Sequence, residues 1–212
     1  MTRSDSPEPK PQTETEPQTE TEPETDTEPG PDDPNLSALL DFWFDPESRP
    51  YWFDSTPDFD AQLRDRFLGL YEDAAGGGLT GWRADGRGCL GLVLLLDQLP
   101  RNVFRGTPRG FETDSQARAV TRHALDMAFD QQLDEAQRLF LYLPLEHSEE
   151  LDDQERSVAL IGQLESEPGW LDYARKHRDV IARFGRFPHR NAILGRASTP
   201  EERAFLEDGP GW

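Results

Sequence analysis

The longest strongly apolar run, Cys89 to Leu96, is greasy on nearly every side. A segment of that kind must be covered on all faces, so any fold of this chain has to be built around it. Such a run suits a buried strand or a buried helix. Its length, its leucines and its helical neighbours favour the helix. The run is far too short to span a bilayer. It ends abruptly in charge, at Asp97-Gln98-Leu99-Pro100-Arg101-Asn102-Val103-Phe104-Arg105, where Pro100 should interrupt the helix and start a new turn.

The segments on either side carry the spacing of amphipathic helices. Leu36, Leu39, Leu40, Phe42, Trp43 and Phe44 predict a short docking helix, capped by Asn35 or Ser37 and stopped at Asp45-Pro46. Tyr51-Trp52-Phe53 falls in a loop, where aromatic packing is favoured over ligand stacking. Thr56-Pro57 opens the next helix, whose face is Phe59, Leu63, Phe67, Leu70, Tyr71 and Ala74. Gly76-Gly77-Gly78 ends it; a phosphate cradle would need a preceding strand and a following Lys-Ser/Thr, and has neither. Further helices are expected from a Thr113 cap through Ala128, over Leu133 to Leu143 with Pro144 closing it, over Leu151 to Leu164, and over Gly169 to Phe184. A last one starts at Thr199-Pro200, with Glu202 completing a capping box. Strand signals are nearly absent. The expected fold class is all-α, seven to nine helices in antiparallel pairs within one domain, residues 35–212.

Residues 1–34 repeat Thr-Glu and Glu-Pro units with almost no apolar residue, a composition that cannot offset its ordering entropy, so a disordered acidic tail is expected. A solubilising extension is favoured over a partner-binding tail. Nine of the 20 net negative charges fall in residues 1–35. Such an acidic chain repels nucleic acid, whose phosphates supply most of the affinity for proteins. Only Lys10 and Lys176 are lysines, against twenty arginines. Excess carboxylate with little lysine keeps a protein hydrated in strong salt, which points to a halophile with a salt-rich cytoplasm; a GC-rich genome is the alternative. Cys89 is the single cysteine, and the N-terminus lacks the apolar core of a secretory signal, so a soluble cytoplasmic protein is expected.

Polar residues gather at the ends of hydrophobic helices in three places. The first holds Asp97, Gln98, Arg101, Asn102 and Arg105, the second Glu146, His147 and Glu149. The third is the basic stretch Arg183, Arg186, His189, Arg190, Asn191 and Arg196, with His177 upstream. Arginines with an asparagine can grip carboxylate or phosphate oxygens in bidentate fashion. A histidine beside a carboxylate can be held in one tautomer for proton transfer. The functional reading is thus a pocket for a small anion, with His147, His189 and Glu146 as catalytic candidates. The structural reading is an ion-pair and capping network that locks helix ends together. Enough imidazoles and carboxylates exist for a metal, but no tight ligand spacing such as His-Glu-x-x-His occurs and the arginines oppose a cation, so neither metal nor cofactor is expected.

Taken together, five stretches resemble the domain-of-unknown-function 924 family: Leu40-Asp41-Phe42-Trp43-Phe44, Leu96 to Asn102, Tyr142 to Glu149, Phe184 to Asn191, and Leu194-Gly195-Arg196. The resemblance runs from about residue 36 to 207 and rests on the motifs occurring in order; the acidic tail lies outside it. It implies an all-helical fold related to tetratricopeptide-repeat proteins, and it implies no established activity or catalytic residue. Two functional readings are open: a small-anion enzyme or binder, or a helical module that takes a peptide on a concave face. The first expects Asp97, Arg101, His147, Arg186, His189 and Asn191 to face one cavity, the second expects them to pair with one another. Oligomeric state is left open.

Overall fold

In the computed structural model, which describes Met1 and residues 33–209, the described residues form helices and turns and no strand. The helices are α1 (Pro34–Phe44), α2 (Pro57–Ala75), α3 (Gly86–Val93), α4 (Leu99–Val103), α5 (Asp114–Asp126), α6 (Glu135–Glu146), α7 (Leu151–Ile161), α8 (Pro168–Phe184) and α9 (Pro200–Asp208). The expected disordered tail falls on residues that, apart from Met1, Asp33 and Pro34, lie outside the described ones. Those last two belong to the fold. Asp33, not Asn35 or Ser37, caps α1: its Oδ1 accepts the Asn35 amide at 2.8 Å, with Pro34 preset for the first turn.

The apolar run is a helix, and it is central. All of α3 except Arg87 is buried, and α1, α5 and α6 pack against it. Gly88 is required there, because a Cβ would overlap the Trp82 carbonyl. Each fully buried leucine of this core contributes roughly 1.5–3 kcal/mol.

Between α3 and α4 the helix widens into a π-helical turn over Leu94–Gln98, with the Leu99 amide bonded back to Leu94 O. Pro100 explains part of this, since it offers no N–H to the carbonyl four residues earlier. That carbonyl, Leu96 O, accepts instead from the Thr113 hydroxyl at 2.6 Å. Thr113 stands at the N-cap of α5 as its sequence position suggests, but its side chain makes no capping bond, being committed to the carbonyl Pro100 leaves open. Asp97 lies in this turn, fully buried and 2.9 Å from His147 at the end of α6.

Pro144 does not close α6. The helix runs through it to Glu146, and His147 closes the last turn by donating its amide to Leu143 O at 2.8 Å. Packing of α6 on α3, α5, α7 and α8 outweighs the ~3 kcal/mol an interior proline costs. Helices adjacent in sequence pack together from α5 to α8, as a helix-pair architecture requires. Thr56 and Thr199 cap α2 and α9 as expected, the latter with Glu202 in a full capping box.

Candidate functional site

Two cavities meet at His147. The larger, about 420 Å³, is lined by Leu139, Leu143 and Glu146 of α6, by Gly169, Trp170, Tyr173 and His177 of α8, and by Phe53 and Glu167. The smaller, about 180 Å³, is lined by Gln98, Arg101, Asn102, Arg105, Ser55 and Trp52. Phe53, Leu143 and His147 belong to both. The first chamber is mainly apolar. The second has two arginines and no acidic residue in its wall. Asp60 and Asp97 lie behind those arginines and hold them, Arg105 at 3.2 Å and Arg101 at 3.0 Å.

Asp97 is wholly buried and fully engaged. It accepts from Gln98 Nε2 at 2.6 Å, pairs with Arg101, and lies 2.9 Å from His147 Nδ1. Burial alone would raise its pKa, but Arg101 and His147 outweigh that and hold it well below the usual carboxylate range. Burial pushes the His147 imidazole down, against the opposing pull of Asp97. The two directions agree: an anionic carboxylate faces a neutral imidazole. Nδ1 then carries the hydrogen and donates it to Asp97. His147 Nε2 keeps its lone pair and makes no hydrogen bond among the described residues. A carboxylate that fixes the tautomer of a cleft-lining histidine is a general-base arrangement.

Glu146 stands beside it in the larger chamber. Burial, then the charge of Asp97, raises its pKa to about 8. Its neighbour His177, Nδ1 at 3.3 Å, is pushed down to about 3, mainly by burial. The contact is therefore not an ion pair near neutrality but a protonated carboxylic acid beside a neutral imidazole. His177 Nδ1 is already 2.9 Å from Tyr173 O, an acceptor only, so it donates there. Two acid–base groups on adjacent residues thus sit in opposite states, one poised to accept a proton and one to give it.

The arginine-rich stretch behaves differently. Arg186 grips Glu202 through Nε and Nη2, and Asn191 also donates to Glu202. Arg196 forks onto Glu149 at 2.7 and 2.9 Å. Arg190 is buried between the Phe111 and Phe187 rings, at 4.8 and 4.4 Å, and reaches Asp114, which also pairs with Arg101. Burial lowers even this guanidinium, to about 10. Arg183 is exposed and lies over Phe184. His189 packs near Phe187, and burial and Arg190 lower it to about 4. None of Arg183, Arg186, His189, Arg190, Asn191, Arg196 or Glu149 lines either cavity.

The structure thus divides the sequence candidates. Gln98, Arg101, Asn102, Arg105, Glu146, His147 and His177 line the cavities, with Asp97 directly behind. Phe53, Trp170 and Tyr173 line the larger cavity without being among the sequence candidates, and Asp114, which lines neither cavity, is the shared partner of Arg101 and Arg190. Phe53 carries a sequence signal in the aromatic loop Tyr51-Trp52-Phe53, where packing is favoured over ligand stacking; in the structure Trp52 is buried with its indole donating to Trp43 O at 2.8 Å, while Phe53 is 65% exposed at the cavities. Ser148 is no nucleophile for His147, because its hydroxyl donates to Asp153 at 2.8 Å. Among the described residues no three His, Cys, Asp or Glu side chains are disposed to hold a metal ion, and no helix is long and apolar enough to cross a membrane.

Fold and site define an all-helical protein with a two-chambered cleft at the ends of α4, α6 and α8. A family described as a bacterial protein of unknown function, DUF924, matches residues 39–210, and the chain belongs to that family. It is also similar to the solved structure of a protein of unknown function from Agrobacterium tumefaciens, at 42% identity and a TM-score of 0.78, over 82% of this chain and 97% of that one. A search of curated proteins found no match.

Proposed function

We propose that the cleft binds a small molecule bearing a carboxylate or phosphate, with the anion in the smaller chamber and His147 as the proton-transfer group. The observation that carries this is the placement of His147 at the junction of the two cavities, with Nδ1 held by Asp97 and Nε2 left for a ligand. Arg101, Arg105, Gln98 and Asn102 line the smaller chamber with no acidic residue among them; Gln98 and Asn102 also donate to Asp97 and Asp60, so the guanidinium of Arg105, the most exposed of the set, is the leading group for an oxyanion. Thermal denaturation with benzoate, phenyl phosphate and their neutral amide or alcohol counterparts tests it. An anion at about a hundred times its Kd should raise the melting temperature by roughly 5–10 °C. Arg105→Gln should remove most of that shift without lowering the ligand-free melting temperature. Equal shifts from neutral and anionic partners contradict the assignment.

A peptide-docking module is the second reading. Phe53 and Tyr173, 65% and 48% exposed at the larger cavity, favour it. Binding of an aromatic-rich peptide that survives Arg105→Gln and His147→Gln would select it. The excess of carboxylates with only two lysines supports a salt-adapted protein. A melting temperature that rises from low to molar KCl is expected, and no rise contradicts it.

A further inference from the structure

The larger chamber narrows the chemistry, and any reaction assigned to it rests on the small-anion reading of the cleft. Glu146 is buried and lines the larger chamber with Leu139, Leu143 and Trp170; its carboxyl lies 3.3 Å from His177 Nδ1 and pairs with no arginine or lysine among the described residues. A carboxyl in that setting serves as a hydrogen-bond donor, so the group it meets on a ligand is a neutral acceptor such as a carbonyl oxygen. Next door, His147 presents an acceptor nitrogen, and the arginines of the smaller chamber lie just across the same imidazole. A carbonyl, an acidic C–H and a carboxylate are thereby called for within a few bonds of one another, with apolar bulk beyond.

We propose that the site enolises a 2-oxo acid carrying an apolar or aromatic side chain: His147 Nε2 removes a proton from the carbon beside the carbonyl while Glu146 protonates the carbonyl oxygen. The C–H pair becomes the C=C bond of the enol, and the former C=O π pair becomes a lone pair on the oxygen as it takes the Glu146 proton. An imidazolium and a carboxylate remain. Asp97 stabilises the imidazolium, and reversal of both transfers returns the ketone and resets both groups. Proton return from either face, or to a different carbon of a conjugated enol, makes the net reaction a tautomerisation or isomerisation. It needs no oxidant and no co-reactant. The chamber's about 420 Å³ accommodates a phenyl ring, with Phe53 and Trp170 as its aromatic walls.

Phenylpyruvate is the probe for the reaction, and 3-phenylpropanoate, which lacks the carbonyl, is the probe for binding alone. Exchange of the phenylpyruvate methylene protons in D2O is followed by proton NMR, and binding of 3-phenylpropanoate by calorimetry. Wild type should accelerate exchange at least ~100-fold over buffer, the low end of what positioned acid–base groups supply. His147→Gln should abolish the acceleration, and Glu146→Gln should cut it about tenfold or more, while both still bind 3-phenylpropanoate. Binding without accelerated exchange in wild type overturns enolisation and leaves the anion site standing. No binding of either compound overturns both. Full exchange in Glu146→Gln removes the acid from the mechanism.

Discussion

The cleft around His147 and the knot around Glu202 are made from the same kinds of residue, yet they end in opposite conditions. In the knot the arginines close on carboxylates and the carboxylates on arginines. Glu202, nearly fully buried, takes Arg186, Asn191 and the Thr199 amide, and Arg196 and Glu149 close a second fork. In the cleft the buried carboxylate Asp97 is satisfied as well, but by an imidazole whose second nitrogen is left to the cavities. Charge density does not separate a site from a clasp. What separates them is whether a group that can still exchange a proton faces space that a ligand could fill.

The largest expected effect tests how firmly the cleft is held. Asp97→Ala strips Arg101, His147 and Gln98 of their shared acceptor in a buried setting, and should destabilise the protein by about 3–5 kcal/mol in chemical denaturation. A loss under 1 kcal/mol would mean that the Asp97 network contributes little. Glu146→Gln acts in the other direction. The folded-state pKa of Glu146 is raised to about 8, above its unfolded value, so its protonated form favours folding and its share of stability is lost as pH climbs from about 4.5 through 8. The glutamine variant should melt with wild type at pH 5 and roughly 5 °C higher at pH 8.5. Equal pH profiles would place an ionised carboxylate in the chamber.

His147, His177 and His189 work with the opposite sign. Their folded pKa values lie below the unfolded one, so the stability they contribute is present above about pH 6.5 and fades as pH falls towards 4. Wild type should accordingly lose melting temperature between pH 6.5 and 4, and His177→Phe, which keeps a buried ring without a titrating nitrogen, should flatten that loss. The smallest effect belongs to the knot. Thr199→Ala removes one side of the α9 capping box and should cost about 1 kcal/mol. Ligand shifts in the cleft should be untouched by it. If they weaken, the two regions are coupled and the contrast between them fails.

Much of this was legible in the chain. The all-round apolar run, the Thr-Pro starts of α2 and α9 and the capping box follow from local chemistry, and local chemistry is what a sequence displays. Asp97, Glu146 and His147 stood out as charge at the ends of grease. The pairings did not. Arg186 finds its acceptor 16 residues away, Arg196 47 and Arg190 76, so the basic stretch looks like one wall of a pocket until the fold brings those carboxylates to it. Pro144 misled for a related reason. Its local tendency to end a helix is overruled by packing on several sides, and the same extension carries Glu146 and His147 to the cleft.

The chemistry of the cleft turns on His147 being a neutral imidazole with its hydrogen on Nδ1, bonded to Asp97, and an open Nε2. Two-bond nitrogen–proton correlation NMR of protein labelled with 15N-histidine, assigned with His147→Gln, reads this directly. At pH 7 the account predicts a protonated Nδ1 and an unprotonated Nε2 for His147, with the pattern changing in Asp97→Asn. A ring protonated on both nitrogens, or on Nε2 alone, would contradict it.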